Sequence, residues 1–152
     1  MDAPHRYQLT LKDRAVTAIQ VNDQKVSHFL EPDNHSQLPK LYIVKSGSEV
    51  VYIGQTTQNM RTRLRQGLQA QGKTGYHGYM WKDLPKVELL VWSFPDKSEE
   101  YTETLEGESV FLLRKRMGRW PRYQMEIHFH NASARDIGFA EAILDACYTH
   151  GS

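Results

Sequence analysis

Two short apolar runs near the middle of the chain constrain its fold more than any other feature. Residues 41–45 read LYIVK and residues 50–54 read VVYIG, with the polar turn SGSE between them. β-Branched and aromatic residues of this kind are typical of strands, and a short glycine-containing turn joins antiparallel neighbours. The sequence therefore predicts a β-hairpin whose strands carry Tyr42 and Tyr52 at matching places.

The rest of the pattern predicts a small α/β (α+β) domain. Residues 7–21 alternate in places, which favours one or two short strands, and the stretch EPDNHSQLPK at 31–40 is typical of a loop. A third strand is predicted at 87–94 and an extended segment at 125–131. Helical spacing predicts three helices. The first follows position 59 and could be capped by Thr57 or Asn59. The second covers 98–116 and is closed by Gly118 and Pro121, and the third begins at Ser133.

These elements predict a mainly antiparallel, three-stranded sheet flanked by helices. We expect an N-terminal extension at 1–38 packed on the main unit, a core at 39–131, and a C-terminal helix at 132–152 in the same domain. The length of 152 residues suits one domain with one core.

Composition narrows the class of protein. The single cysteine, Cys147, excludes an internal disulfide and a multi-cysteine zinc site. No apolar run approaches the roughly 20 residues of a membrane span, and the N-terminus lacks the apolar part of a secretory signal, so we expect a cytoplasmic protein.

Charge is unevenly distributed although the formal net charge is only +1. Basic residues dominate 61–82 and 114–122, and acidic residues dominate 96–108. This pattern is compatible with a phosphate-binding surface beside a metal-binding carboxylate, but charge alone favours solvated helix faces of compensating charge.

Three features of the chain favour phosphodiester chemistry. Paired tyrosines lie on the predicted hairpin, an arginine-rich helix follows the second strand, and a later helix begins acidic and ends basic. Hydrolysis of a phosphodiester needs a positioned water with a base, a cation on the developing charge, and in most cases a carboxylate-held metal ion. Tyrosine, arginine and glutamate can fill these roles.

The same residues resemble a known family. LYIV at 41–44 and VYIG at 51–54, with tyrosines ten positions apart, resemble the paired half-motifs of the GIY-YIG nuclease superfamily. The following QTTQNMRTRLRQ resembles its connector and first helix, and EGESVFLLRKRMGRWPRYQ resembles its later glutamate helix with the terminal motif. The resemblance covers about 41–124, a little over half of the chain.

The resemblance implies a metal-dependent endonuclease of restriction type or phage type, which cuts duplex DNA as a monomer or homodimer. It places the catalytic residues at Tyr42, Tyr52, Arg63 and Glu108. Tyr42 would act as the base or align the attacking water, Tyr52 would bond the water or the phosphate, and Arg63 would bind the scissile phosphate. Glu108 would hold one Mg²⁺ or Mn²⁺.

Further residues complete this expected site. The supporting residues are Gly54, Gln124 and His77, and the candidate DNA-binding residues are Arg61, Arg65, Lys73, Lys82, Arg114, Arg119 and Arg122. Gly54 would let the chain turn into the connector, and Gln124 would orient the glutamate or a metal-bound water.

Several positions depart from the family pattern. The first half-motif keeps only its tyrosine, Gln124 stands where asparagine is usual, and Gly67 stands where many members carry a histidine or tyrosine that faces the site. His77 or Tyr76 could supply what Gly67 lacks. These departures motivate the alternative of a catalytically weak or inactive nucleic-acid-binding module, and a structured-RNA nuclease is a third possibility.

Some assignments stay open. Glu103 and Glu106 are rivals of Glu108 for the metal. Glu126, His128 and His130 share one face of an alternating segment, which is typical of a polar sheet face and also compatible with a transition-metal site. Trp92 and Trp120 could stack on bases, but core packing is the stronger expectation.

Overall fold

The computed structural model describes residues 3–73, 76–123 and 134–148 of the chain. They form one antiparallel sheet with three helices. In chain order the elements are β1 (His5–Lys12), β2 (Ala15–Val21), β3 (Gln24–Val26), β4 (Lys40–Ser46), β5 (Glu49–Thr56), α1 (Met60–Gln69), β6 (Lys86–Ser93), α2 (Glu99–Met117) and α3 (Ala134–Tyr148).

The expected three-stranded sheet is wrong, because the sheet has six strands in the order β3-β2-β1-β6-β4-β5. The segment before residue 39, expected to be an extension, supplies three of them. β1 pairs with β6 from His5 opposite Val91 to Thr10 opposite Lys86. This pairing satisfies backbone groups that β6 would otherwise expose at an edge, and the fold class remains α+β.

The predicted hairpin is confirmed. β4 and β5 are antiparallel, with Tyr42 opposite Gly54 and Val44 opposite Tyr52. The other edge of β4 pairs with β6, so that Tyr42 faces Val91 across that ladder. β4 is therefore held on both sides, and β5 lies at the edge of the sheet.

Apolar side chains cover both faces of the sheet. On one face Tyr42 and Val44 pack with Met60, Leu64 and Leu68 of α1. On the other face, buried residues of the sheet pack against α2 and α3; the cluster comprises Leu41, Ile43, Val50, Ile53, Leu90, Trp92, Leu105, Val110, Leu113, Ile143, Leu144 and Cys147. The alternation of side chains along each strand produces these two cores.

Local signals place the helix ends as expected. The Asn59 side chain accepts a hydrogen bond from the Thr62 N–H at 2.8 Å and caps α1. α2 ends at Gly118, whose N–H donates to the Arg114 carbonyl. In the part of the chain that the structure describes, no helix has both the length and the apolarity to cross a membrane.

Two buried ionisable groups hold the 31–40 loop to the sheet. The Asp33 carboxylate accepts hydrogen bonds from the Tyr7 hydroxyl and from the Ser93 hydroxyl, the latter at 2.7 Å, and pairs with His5 Nδ1 at 2.8 Å. The Lys40 ammonium donates to three backbone carbonyls, those of residues 35, 38 and 58, at 2.7–2.8 Å. Burial lowers the pKa of Lys40 to about 8, and the negative charge of Asp33 opposes that shift.

We expect Lys40→Met to destabilise the protein, because it leaves three carbonyl acceptors without their donor. The free energy of unfolding in urea should fall by about 2–4 kcal/mol. The matched control is Lys86→Met at the exposed start of β6, which should change it by less than about 0.5 kcal/mol. Equal stability of the two variants would contradict the role given to Lys40.

Candidate functional site

The two hairpin tyrosines lie together over a glycine. Tyr42 is fully buried and Tyr52 is partly exposed, and their ring centroids are 5.9 Å apart. A Cβ atom at Gly54 would lie 2.6 Å from Tyr42 Cζ and 2.7 Å from Tyr52 Cε1. Gly54 lies within β5 and does not turn the chain into the connector, so its structural role is to leave room for the two phenols.

Arg63 faces the same cluster from α1. Its guanidinium carbon lies 4.9 Å from the ring centroid of Tyr79 and 5.6 Å from that of Tyr76. Burial lowers the pKa of Arg63, but the phenols of Tyr42, Tyr79 and Tyr76 raise it by more, so that it stays above its ordinary value. Arg63 therefore carries a fixed positive charge against aromatic faces.

Tyr79 is part of this cluster and was missed by the sequence reasoning. Its hydroxyl is 2.8 Å from the Tyr42 hydroxyl, and its ring is edge-on to Tyr52 at 5.3 Å. Gly67 is the signal that could have pointed to it, because the ring of Tyr79 fills the space over that glycine. Tyr76 and His77 are the two residues expected to supply the side chain that Gly67 lacks. Tyr76 contacts Arg63, whereas exposed His77 lies against Gly72.

Burial is the main cause that raises the pKa of Tyr42, Tyr52 and Tyr79 above the ordinary phenol value near 10. The positive charge of Arg63 opposes this rise in all three, and the hydrogen bond between Tyr42 and Tyr52 raises the pKa of Tyr52 and lowers that of Tyr42. All three phenols keep their protons at neutral pH. A buried neutral phenol donates a hydrogen bond but does not take a proton from water, which disfavours the base role expected for Tyr42.

Glu106 is the carboxylate of α2 whose charge acts on this cluster. Glu106 is 6% exposed, and its charge raises the pKa of Tyr52. Residues two apart on a helix point to opposite sides, and none of the described contacts joins the half-buried Glu108 to the tyrosines or Arg63. One turn before Glu106, the Thr102 hydroxyl contacts Gln55 of β5 at 3.4 Å, which places this side of α2 against the edge strand.

The expected terminal motif approaches the same strand. The Tyr123 N–H donates to the Val51 carbonyl at 2.9 Å, and the Tyr123 side chain packs against the core on the Tyr42 face. The expected roles of Gln124 and of the Glu126, His128 and His130 face lie outside the described residues.

The candidate DNA-binding residues fall into two groups. Three have exposed side chains: Arg65, Lys73 and Arg61, the last of which donates to the Ser27 carbonyl. The others have partners: Arg119 and Arg122 pair with Glu49 at 3.1 and 2.8 Å, Arg114 stacks on the exposed Trp120, and Lys82 donates to the Ala70 and His77 carbonyls. Trp92 is a core residue, 4% exposed.

The site offers a metal ion one buried carboxylate, that of Glu106. In the described ranges, no three His, Cys, Asp or Glu side chains converge to hold a metal ion. Mg²⁺ nevertheless needs only one or two protein carboxylates, because water and phosphate oxygens complete its shell. The buried Ser109 hydroxyl, one turn from Glu106 on α2, has no hydrogen-bond partner among the described atoms, which leaves one unsatisfied oxygen on this helix. The residues present therefore fit Mg²⁺.

Comparison with known proteins adds no relative: protein-family models, curated proteins and solved structures all give no match. The expected similarity to GIY-YIG nucleases therefore stays a prediction that depends on the sequence motifs.

We expect Gly54→Ala to destabilise the protein, because its Cβ would overlap both tyrosine rings. The free energy of unfolding should fall by about 1–3 kcal/mol. Gly138→Ala is the control, since Gly138 lies exposed in α3 with no atom within 4 Å of an added Cβ, and it should raise stability by up to about 1 kcal/mol. A neutral Gly54→Ala would contradict the close packing of the tyrosines.

The buried phenols predict a loss of stability at high pH. Tyr7, Tyr42, Tyr52 and Tyr79 have pKa values raised mainly by burial, whereas the unfolded chain titrates near 10. The folded state thus binds more protons above pH 10, so this stabilisation is complete below pH 10 and is lost as the pH rises beyond it. Absorbance at 295 nm should show that at least four of the eight tyrosines ionise only with unfolding. Ionisation of all eight near pH 10 in the folded protein would contradict this.

Proposed function

We propose that this protein is a metal-dependent endonuclease that hydrolyses phosphodiester bonds in duplex DNA. One observation carries the proposal: Tyr42 and Tyr52 of the hairpin and Arg63 of α1 meet in one cluster, which the charge of Glu106 reaches. A restriction-type enzyme that cuts at specific sites, in the cytoplasm, is the more specific form of the proposal.

Arg63 binds the phosphate in this proposal. Its charge is partly buried against the rings of Tyr76 and Tyr79, and no ion pair joins it to a carboxylate in the described part of the chain. A guanidinium with aromatic rather than anionic neighbours keeps its positive charge available to an incoming anion. Its planar donors match two phosphate oxygens and stabilise the charge that grows on them in the transition state.

Glu106 holds the cation. Because it lies buried on the side of α2 that faces β5, we assign it the role that the resemblance gives to Glu108. When bound, Mg²⁺ would supply positive charge that polarises the phosphate and favours ionisation of neighbouring groups.

The two tyrosines differ in what they can touch. Tyr52 is partly exposed on the edge strand, so its hydroxyl orients the attacking water or a phosphate oxygen. Tyr42 is buried behind it and bonded to other phenols, so it fixes the Tyr52 hydroxyl and does not itself accept the proton. The proton that the attacking water loses passes to solvent, which also supplies the proton that the leaving oxygen takes up. Arg65, Lys73 and Arg61 lie exposed where they could contact flanking phosphates. The chain would act as a monomer or a homodimer.

A nucleic-acid-binding module without catalysis is the second candidate. The observation that favours it is the complete burial of Tyr42, together with a pKa well above that of a free phenol, because both oppose proton transfer at this residue. A structured-RNA substrate would use the same phosphate contacts.

Cleavage of plasmid DNA in Mg²⁺ or Mn²⁺ tests the proposal with two matched pairs of variants. Arg63→Ala should lower kcat by at least about 100-fold, whereas Arg65→Ala, an equal loss of charge on the exposed side of α1, should weaken mainly salt-dependent binding. Glu106→Gln should lower kcat to a similar extent, and Glu108→Gln should not.

Each outcome has a distinct meaning. Loss of turnover in Glu108→Gln but not in Glu106→Gln would restore the assignment that the resemblance implies. Salt-dependent binding that Arg63→Ala weakens, without cleavage in any divalent metal, would select the binding module. Cleavage of structured RNA but not of DNA would select the RNA nuclease.

A further inference from the structure

The Tyr79 ring occupies a space that only a glycine at position 67 leaves open. A Cβ atom at Gly67 would lie 2.1 Å from Tyr79 Cε2, and the Tyr79 N–H donates to the Gly67 carbonyl at 2.9 Å. Tyr79 is 2% exposed, and its ring stacks on Trp81 with centroids 4.5 Å apart. Contacts on several sides therefore hold the ring in one orientation.

In that orientation Tyr79 contacts two groups of the proposed site at once. Its hydroxyl is hydrogen-bonded to the hydroxyl of Tyr42, and its ring face lies against the guanidinium of Arg63. The hydroxyl and the ring thus hold different partners, which lie on β4 and α1.

Tyr42 and Arg63 both need a neighbouring side chain to fix their orientation. Tyr42 is fully buried, so its hydroxyl can be oriented only by neighbouring protein groups. Arg63 is a long side chain whose free rotamers would spread its charge over several positions, and a flat aromatic neighbour limits them. Tyr79 restricts both.

We infer that Tyr79 is a positioning residue of the site: its hydroxyl sets Tyr42 and its ring sets Arg63, and Gly67 admits it. This inference rests on the proposed function in one respect, that the groups it positions serve phosphodiester hydrolysis. The class of ligand is the phosphate backbone of a nucleic acid.

Tyr79→Phe separates the two contacts, because it removes the hydroxyl and keeps the ring. We expect kcat for DNA cleavage in Mg²⁺ to fall by at least about tenfold, with KM unchanged within about twofold. Tyr7→Phe is the matched control, since it also removes a buried, hydrogen-bonded hydroxyl, bonded there to Asp33. It should lower the melting temperature without changing kcat.

Gly67→Ala displaces the ring without changing Tyr79 itself. It should reproduce the loss of kcat and also weaken binding of a duplex oligonucleotide in EDTA, in the direction of Arg63→Ala. The double variant Gly67→Ala/Tyr79→Phe should lose no more kcat than Gly67→Ala alone, because both changes act through one residue.

Failure of this inference can be distinguished from failure of the proposed function. If the wild type cuts DNA and Tyr79→Phe cuts equally well, the positioning role is overturned and the nuclease stands. If the wild type cuts nothing, the nuclease fails, and affinity in EDTA decides: weaker binding by both Gly67→Ala and Arg63→Ala supports the positioning of Arg63. Unchanged binding by either variant overturns it.

Discussion

The placement of β6 between β1 and β4 holds the two halves of the chain together. Its residues alternate, so that Leu89 and Val91 enter the core with α1, while Leu90 and Trp92 enter the core with α2 and α3. One strand thereby fixes the hairpin relative to helices on both faces of the sheet. The candidate site needs this arrangement, because Arg63 comes from one face and Glu106 from the other, and they approach the tyrosines near the edge strand β5.

Those parts of the fold that depend on nearby residues could be predicted from the sequence. The hairpin, the Asn59 cap and the end of α2 at Gly118 follow from contacts within a few positions. The six-stranded sheet could not be predicted in the same way. Its decisive pairing joins β1 to β6, and the alternation at 7–11 indicates a strand without indicating which partner it finds.

The candidate site likewise contains residues that could be predicted from the sequence and residues that could not. Tyr42, Tyr52 and Arg63 follow from a motif with fixed spacing on local elements, and they lie together. The carboxylate depends on the rotation of α2, since a shift of two residues moves a side chain to the opposite side of the helix, and the contact of α2 with β5 sets that rotation. Tyr79 depends on the path of the segment between α1 and β6, for which the sequence offers only the glycine at 67.

Because the ring of Tyr79 fills the space over Gly67, the side-chain volumes at these two positions depend on each other. The surrounding core holds constant the space that the pair fills together. A larger side chain on the helix would require a smaller one on the loop, and an aromatic group supplied from α1 could occupy the place that the loop now fills. A change of volume at either position therefore requires a compensating change at the other.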